Sequence, residues 1–172
     1  MDRLAGCAIG MVVVCAELVG CVDEDPTCHT PCTGNDVCVR GVCANAFDQD
    51  WSFTVTGISI TALEPDGTVW DAFDGSPPDP YAMIFIDNVA VLQTDHSSDA
   101  YIAHWTNKSP RTRLSETSTF EAKAFDADPL GPGDLILDCQ VGALTADLLR
   151  MSGFVCTGAG GRLTIGYTPL PR

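Results

Sequence analysis

The sequence has 172 residues, a length that suits one ordinary domain with modest additions. It carries 23 Asp and Glu against nine Lys and Arg, for a formal net charge of −14. This balance argues against a nucleic-acid partner, because binding phosphates requires clustered Lys and Arg. It fits an acidic, soluble surface or a site for a divalent cation.

The N-terminal segment has the plan of a secretory signal peptide, with Arg3 near the start, an apolar middle and a small-residue exit. The exit, Leu18-Val19-Gly20-Cys21, resembles the lipobox of bacterial lipoproteins, in which the cysteine is lipidated and becomes the new N-terminus. The resemblance implies removal of residues 1–20 and export to the bacterial cell envelope, anchored in the membrane through Cys21. Val22 favours the outer membrane. An ordinary signal peptide cut elsewhere and a membrane anchor are the alternatives.

A cysteine-rich neck, residues 21–49, follows the signal peptide. Export favours disulfides, and a segment this short cannot build an apolar core of its own. Two bridges are therefore expected here, in any of three connectivities; a zinc site is the alternative, although the C-x2-C spacing typical of zinc is missing. A third bridge is expected between the two late cysteines. The six cysteines concerned are Cys28, Cys32, Cys38, Cys43, Cys139 and Cys156.

Residues 50–172 consist of short apolar runs with β-branched and aromatic residues, separated by turn residues. About eight strands are predicted, with a phase shift at Gly57 that indicates a bulge and a tight hairpin turn at Asp87-Asn88. Only residues 144–151 are predicted as helix. The pattern predicts an all-β fold, an eight-stranded antiparallel β-sandwich.

Three carboxylates surround a Gly-Pro turn after the predicted strand 118–125. Asp126 and Asp128 leave the same side of an extended chain, and the turn can return Asp134 toward them. Grouped carboxylates repel one another unless a cation neutralises them, and Ca²⁺ prefers such oxygen ligands. An EF-hand is excluded because Leu130 and Leu137 occupy positions that need oxygen ligands. The alternative is that these aspartates only form turns.

A second acidic loop precedes the predicted strand 80–86 and ends in Asp79-Pro80-Tyr81. With this motif, and with the D-x-D-x5-D pattern of the first loop, residues 51–145 resemble the C2 domain, a β-sandwich that binds calcium and often phospholipid. The resemblance implies calcium ligands on both loops, with Asp71 or Asp74 completing the set. The implied ligands are Asp71, Asp74, Asp79, Asp126, Asp128 and Asp134.

The sequence therefore predicts a membrane-anchored calcium-binding module that docks onto lipid headgroups or an envelope protein. The alternative is a structural or adhesive envelope lipoprotein that does not bind calcium. An enzyme is not expected, because no nucleophile–base motif is present and His29, His96 and His104 are widely spaced.

Overall fold

A computed structural model of the protein describes residues 28–71, 75–128 and 133–171. The predicted signal peptide, Cys21 and Asp74 lie outside these ranges. The strands are β1 (Asp36–Val39), β2 (Val42–Asn45), β3 (Asp50–Ile60), β4 (Pro80–Ile86), β5 (Val89–Gln93), β6 (Ile102–Ala103), β7 (Thr112–Arg113), β8 (Thr119–Asp126), β9 (Leu135–Ala143), β10 (Gly153–Gly158) and β11 (Gly161–Leu170). A 3₁₀ turn covers Ala46–Asp48, and the helix α1 covers Ala146–Leu149.

Two antiparallel sheets form a sandwich, which confirms the predicted fold class. One sheet has the order β5-β4-β8-β9, and the other has β10-β11-β3 followed by an interrupted edge. That edge consists of β6, an isolated bridge from Lys108 to Thr54, and β7, all paired antiparallel with β3. Counted as one interrupted strand, this edge brings the sandwich to the eight strands expected from the sequence.

The core lies between the sheets and follows the two-residue alternation of the strands. Inward positions carry apolar side chains that are almost completely buried, and outward positions of β3 and β11 carry mainly Ser, Thr and Arg. Because each sheet has one wholly buried apolar face, the pairing registers are strongly specified. The largest fully buried apolar side chains of the sandwich are Trp51, Phe53, Ile84, Phe120, Leu144, Leu163 and Ile165.

Two predicted irregularities are present. Asp87 and Asn88 both have positive φ, at 52° and 64°, as a tight two-residue hairpin turn between β4 and β5 requires. The register between β3 and β11 shifts at Thr56, next to Gly57, where a bulge was expected. A Cβ at Gly57 would lie 2.8 Å from Nδ1 of His104 and 3.1 Å from the backbone oxygen of Ala103, so a side chain there would require these neighbours to shift. The predicted helix is shorter than expected: only Ala146–Leu149 is helical, capped by the Thr145 side chain.

The neck carries the disulfides Cys28–Cys38 and Cys32–Cys43, and Cys139–Cys156 joins β9 to β10. The sulfur atoms of Cys28, Cys32 and Cys43 lie within 4.8 Å of one another, but all three belong to these disulfides. Disulfides, the expected interpretation, therefore account for the cluster that a zinc ion would need. The connectivity was left open by the sequence because it depends on how the chain folds back at β1–β2.

The neck packs directly against the sandwich. Val37 and Ala46 are buried in the same apolar cluster as the strands, although the neck has no core of its own. The indole N–H of Trp51 donates to the Ala46 carbonyl at 2.8 Å. The Arg150 guanidinium donates to the carbonyls of Gly34 and Asp36 at 3.0 and 2.8 Å. These contacts fix the neck at one end of the sandwich. Within the described ranges, no helix is long and apolar enough to cross a membrane.

Candidate metal site

Three connections meet at the end of the sandwich opposite the neck. They join β3 to β4 (61–79), β5 to β6 (94–101) and β8 to β9 (127–134), and together they are called the loop end here. Backbone hydrogen bonds tie them: Ala100 N donates to Pro78 O at 2.8 Å, and Ala127 N donates to Asp79 O at 3.1 Å. Asp126 N closes the third connection on Asp134 O at 2.8 Å. The loop end is therefore one bonded unit and not three separate loops.

Asp126 is the centre of this unit. The alternation of β8 turns Phe120, Ala122 and Ala124 into the core, and the same alternation turns Asp126 inward. The residue is only 1% exposed. Its Oδ1 accepts the backbone N–H of Asp79 at 2.6 Å, whereas its Oδ2 is buried and has no hydrogen-bond partner among the described residues. A buried carboxylate oxygen without a hydrogen-bond partner destabilises the folded protein. A bound ligand that contacts this oxygen would remove that cost.

Burial and the neighbouring charges make this carboxylate harder to ionise. The pKa of Asp126 is raised to about 6, first by burial and then by the nearby carboxylates of Asp71, Asp128 and Asp79, against the opposing effect of the Asp79 N–H. The pKa of Asp128 is also raised, first by desolvation and then by the charges of Asp134, Asp71 and Asp79. The two acids therefore lie in a field of uncompensated negative charge.

Five of the six aspartates predicted as ligands meet at the loop end. Asp79 uses Oδ1 to accept the backbone N–H of Asp99 at 2.6 Å, and Asp71 accepts the Ser76 hydroxyl at 3.0 Å. Asp134, the residue immediately before β9, is exposed. Asp74 lies outside the described residues. Of the two aspartates between which the sequence left the choice open, Asp71 is thus placed beside Asp126 and Asp128.

The carboxylates form an open group and not a closed cage. Among the described residues, no three of these aspartates bring their oxygen atoms within 4.8 Å of one another. A Ca²⁺ ion bound at 2.3–2.6 Å would therefore need side chains of the loop end to rotate inward. The donor set nevertheless fits a hard divalent cation, because it consists of oxygen atoms and includes a buried one without a partner.

Exposed apolar side chains also lie at the loop end, a feature that the sequence patterns did not reveal. Each of the three connections contributes some of them, either within the connection or at the first residue of the strand after it. They are Leu63, Val69, Tyr101, Ile102 and Leu135, with exposures between 37% and 64%. The sequence segments 61–79, 94–101 and 126–134 contain ten Asp and Glu and no Lys or Arg. The loop end thus carries both an acidic group and these exposed apolar side chains, which are called the apolar rim here.

Aromatic stacking supports the base of the loop end. The Tyr81 ring stacks on His96 at 4.6 Å and on Phe125 at 5.3 Å between ring centroids. His96, one of the three widely spaced histidines, is exposed, and its ring stacks against the strand that begins just after Asp79. The stack links the β5–β6 connection to β4 and β8.

Gly133 lies in close contact with the backbone of Asp126 in the third connection. A Cβ at this position would lie 1.9 Å from the backbone oxygen of Asp126, so any side chain must move the connection. If the loop end binds calcium, Gly133→Ala should weaken that binding by about tenfold, equivalent to ~1.4 kcal/mol, although the substitution removes no ligand. Isothermal titration calorimetry measures the change. Gly67→Ala in the first connection is the matched control for strain, since Gly67 has positive φ but no atom within 4 Å of the added Cβ; equal losses in both variants would contradict the packing argument.

Comparisons with known proteins give a fold and no family. No protein-family model and no curated protein matches the chain. Among solved structures, a C2 domain matches with a TM-score of 0.54 at 15% identity, covering 70% of this chain and 97% of that one. A single C2 domain of a plant extended synaptotagmin 1 matches at 0.53 and 14% identity, covering 72% of this chain and 97% of that one.

A calcium-bound structure of two C2 domains of extended synaptotagmin 2 matches with a TM-score of 0.51 at 14% identity. The match covers 70% of this chain but only 45% of that two-domain chain. The sandwich therefore has a C2-like fold, as the sequence resemblance implied. At these identities the similarity extends to the fold alone, and function must be argued from the residues of the loop end.

Proposed function

We propose that this protein is a calcium-binding recognition module whose loop end docks onto anionic phospholipid headgroups. The observation that carries the proposal is Asp126, a carboxylate that is only 1% exposed, has one oxygen without a partner among the described residues and faces three further aspartates. Ca²⁺ bound there would supply the missing partner and cancel the repulsion. Asp71, Asp79, Asp128 and Asp134 are the proposed companion ligands.

The surroundings of the site support a lipid surface as the partner. Bound Ca²⁺ would make the centre of the loop end attractive to phosphate and carboxylate groups, which the calcium-free acidic surface repels. The rim, with Ile102 at 64% exposure and Leu135 at 48%, offers apolar side chains to the membrane interface at the same end. The calcium-bound structure among the structural neighbours is consistent with this proposal.

A thermal melt with calcium and with chelator tests the proposal. A ligand that binds only the native state, at 100 times its dissociation constant, stabilises by about 2.7 kcal/mol. We expect calcium to raise the melting temperature by roughly 5–10 °C at such a concentration. Asp126→Asn should remove the shift. Asp48→Asn, which deletes an equal charge on an exposed residue of the neck, should preserve it. A melting temperature that is the same in calcium and in chelator would sink the proposal.

The second candidate is a structural or adhesive envelope protein that does not bind calcium. The observation in favour of this candidate is that the side chains of Asp79 and Asp71 already accept hydrogen bonds, from Asp99 and Ser76 respectively. Aspartates with such bonds stabilise turns without any ion. Asp126 distinguishes the two candidates, because a turn-forming role leaves its second oxygen without a partner.

A further inference from the structure

Trp70 is a buried anchor within the β3–β4 connection. Its side chain is only 4% exposed, whereas residues 65–69, which precede it, are exposed. The indole N–H donates to the carbonyl oxygen of Thr61 at 2.8 Å. Thr61 is the first residue after β3, so this hydrogen bond closes the first part of the connection on the point at which the chain leaves the strand.

Thr61 is itself fixed to a rigid part of the sandwich. Its backbone N–H donates to the carbonyl oxygen of Gly160 at 3.0 Å, in the turn between β10 and β11. A Cβ at Gly160 would lie 2.0 Å from the backbone oxygen of Ile136, so this turn lies directly against β9. Trp70 is therefore joined, through Thr61, to a part of the fold that lies outside the three connections of the loop end.

Asp71 follows Trp70 directly in the chain. Its backbone oxygen accepts the N–H of Gly75 at 2.6 Å, and its Oδ2 accepts the Ser76 hydroxyl at 3.0 Å. Both partners belong to the same connection, so these bonds shape the connection without fixing it to the sandwich. The hydrogen bonds to the other two connections lie further along, at 78–79. On the side of β3, the bond from Trp70 to Thr61 holds Asp71 in place.

We infer that Trp70 is the positioning residue of the calcium site: it holds Asp71 where its carboxylate can share an ion with Asp126. The inference rests on the proposed calcium-binding function. An indole N–H is a donor and offers no lone pair to a metal ion, so Trp70 acts through Asp71. Without its hydrogen bond the connection would populate other conformations. Only the fraction with Asp71 in place would bind with the full ligand set, and the apparent affinity would fall with that fraction.

Trp70→Phe in the full chain tests the inference, because it keeps an aromatic ring and removes the N–H donor. We expect calcium affinity, measured by isothermal titration calorimetry, to fall about fivefold, which corresponds to the ~1 kcal/mol of one such hydrogen bond. The other two tryptophans supply matched controls. Trp51→Phe removes a bond of the same length, to Ala46 O at the neck end. Trp105→Phe changes an equally buried indole whose N–H has no partner among the described residues. Both controls should keep the calcium affinity of the native chain, and urea unfolding in chelator separates loss of affinity from loss of stability.

A double-mutant cycle with Asp71→Asn shows whether Trp70 acts through Asp71. The combined variant should bind calcium no more weakly than Asp71→Asn alone, because the placing of Asp71 no longer matters once its charge is removed. Losses that multiply in the combined variant would overturn the inference, as would equal losses of affinity in Trp70→Phe and Trp51→Phe. If calcium binding depends on Asp126 but Trp70→Phe leaves it unchanged, the inference alone has failed. If the native chain binds no calcium, the proposed function has failed and the positioning role fails with it.

Discussion

Lowering the pH from 7 to 5 should stabilise the calcium-free protein, and Asp126→Asn should remove most of that response. Because the folded-state pKa of Asp126 is about 6 and the ordinary value is 3.8, the folded protein takes up a proton before the unfolded chain does. The stabilising effect of protonation is therefore complete below about 3.8 and is lost as the pH rises through 6. A difference of about two pKa units corresponds to ~3 kcal/mol at neutral pH.

Two opposing terms decide the effect of Asp126→Asn at pH 7. The substitution removes the buried charge, but it places an amide N–H₂ where Oδ2 has no partner, a cost of about 1–3 kcal/mol. We expect the calcium-free variant to be as stable as the native protein or slightly more stable at pH 7, and to be less stable than the native protein at pH 4.5. Urea unfolding in chelator at several pH values measures both.

Calcium bound at the proposed site should reverse this difference in stability, since only the native protein would gain stability from the ion. Asp48→Asn, at the neck end, controls for the change in net charge and should keep the pH profile of the native protein. Asp128 contributes in the same direction as Asp126, because its pKa is raised too. If the stability of the native protein in chelator falls steadily from pH 7 to pH 5, Asp126 is not a buried carboxylate with a raised pKa.

The strands could be predicted because alternation and turn residues are local signals. The Asp87-Asn88 turn, for example, requires positive φ at two positions, and Asn and Asp adopt it more readily than other non-glycine residues. The same period placed Asp126 and Asp128 on one side of the chain. The alternation could not predict whether that side faces solvent or the core, because the opposing sheet determines which face of β8 is buried.

The parts of the site that were missed depend on contacts between distant segments. The N–H of Asp79 reaches Asp126 across 47 residues, and the β5–β6 connection supplies Asp99, which no spacing rule linked to the site. The sequence analysis likewise separates the neck from the sandwich, although Val37 and Ala46 complete a core shared with Trp51. Local patterns gave the acidic loops and their order; the exposure of the apolar rim and the placing of Asp71 needed the folded structure.

Removing the Cys139–Cys156 disulfide should cost about 3 kcal/mol of unfolding free energy, because the bond closes a loop with a sequence separation of 17. The bond joins β9 to β10, the strands that end the two sheets on the same side of the sandwich. Without it, the two sheets are held together on that side by packing and by the connecting segment 144–152. We expect Cys139→Ala with Cys156→Ala to lower the urea midpoint and to raise the slope, because the unfolded chain without the cross-link is less compact. Calcium should still stabilise the variant.

The neck disulfide Cys28–Cys38 is the matched control, since it closes a shorter loop, with a separation of 10, and does not link the sheets. Its removal should loosen the neck and lower the overall unfolding free energy by less than removal of the sheet-linking bond. If both double variants lose the same free energy, the two sheets do not depend on the bond between their edge strands. If the Cys139→Ala, Cys156→Ala protein no longer responds to calcium, the loop end depends on that bond and cannot be the independently braced unit that its hydrogen bonds and aromatic stack indicate.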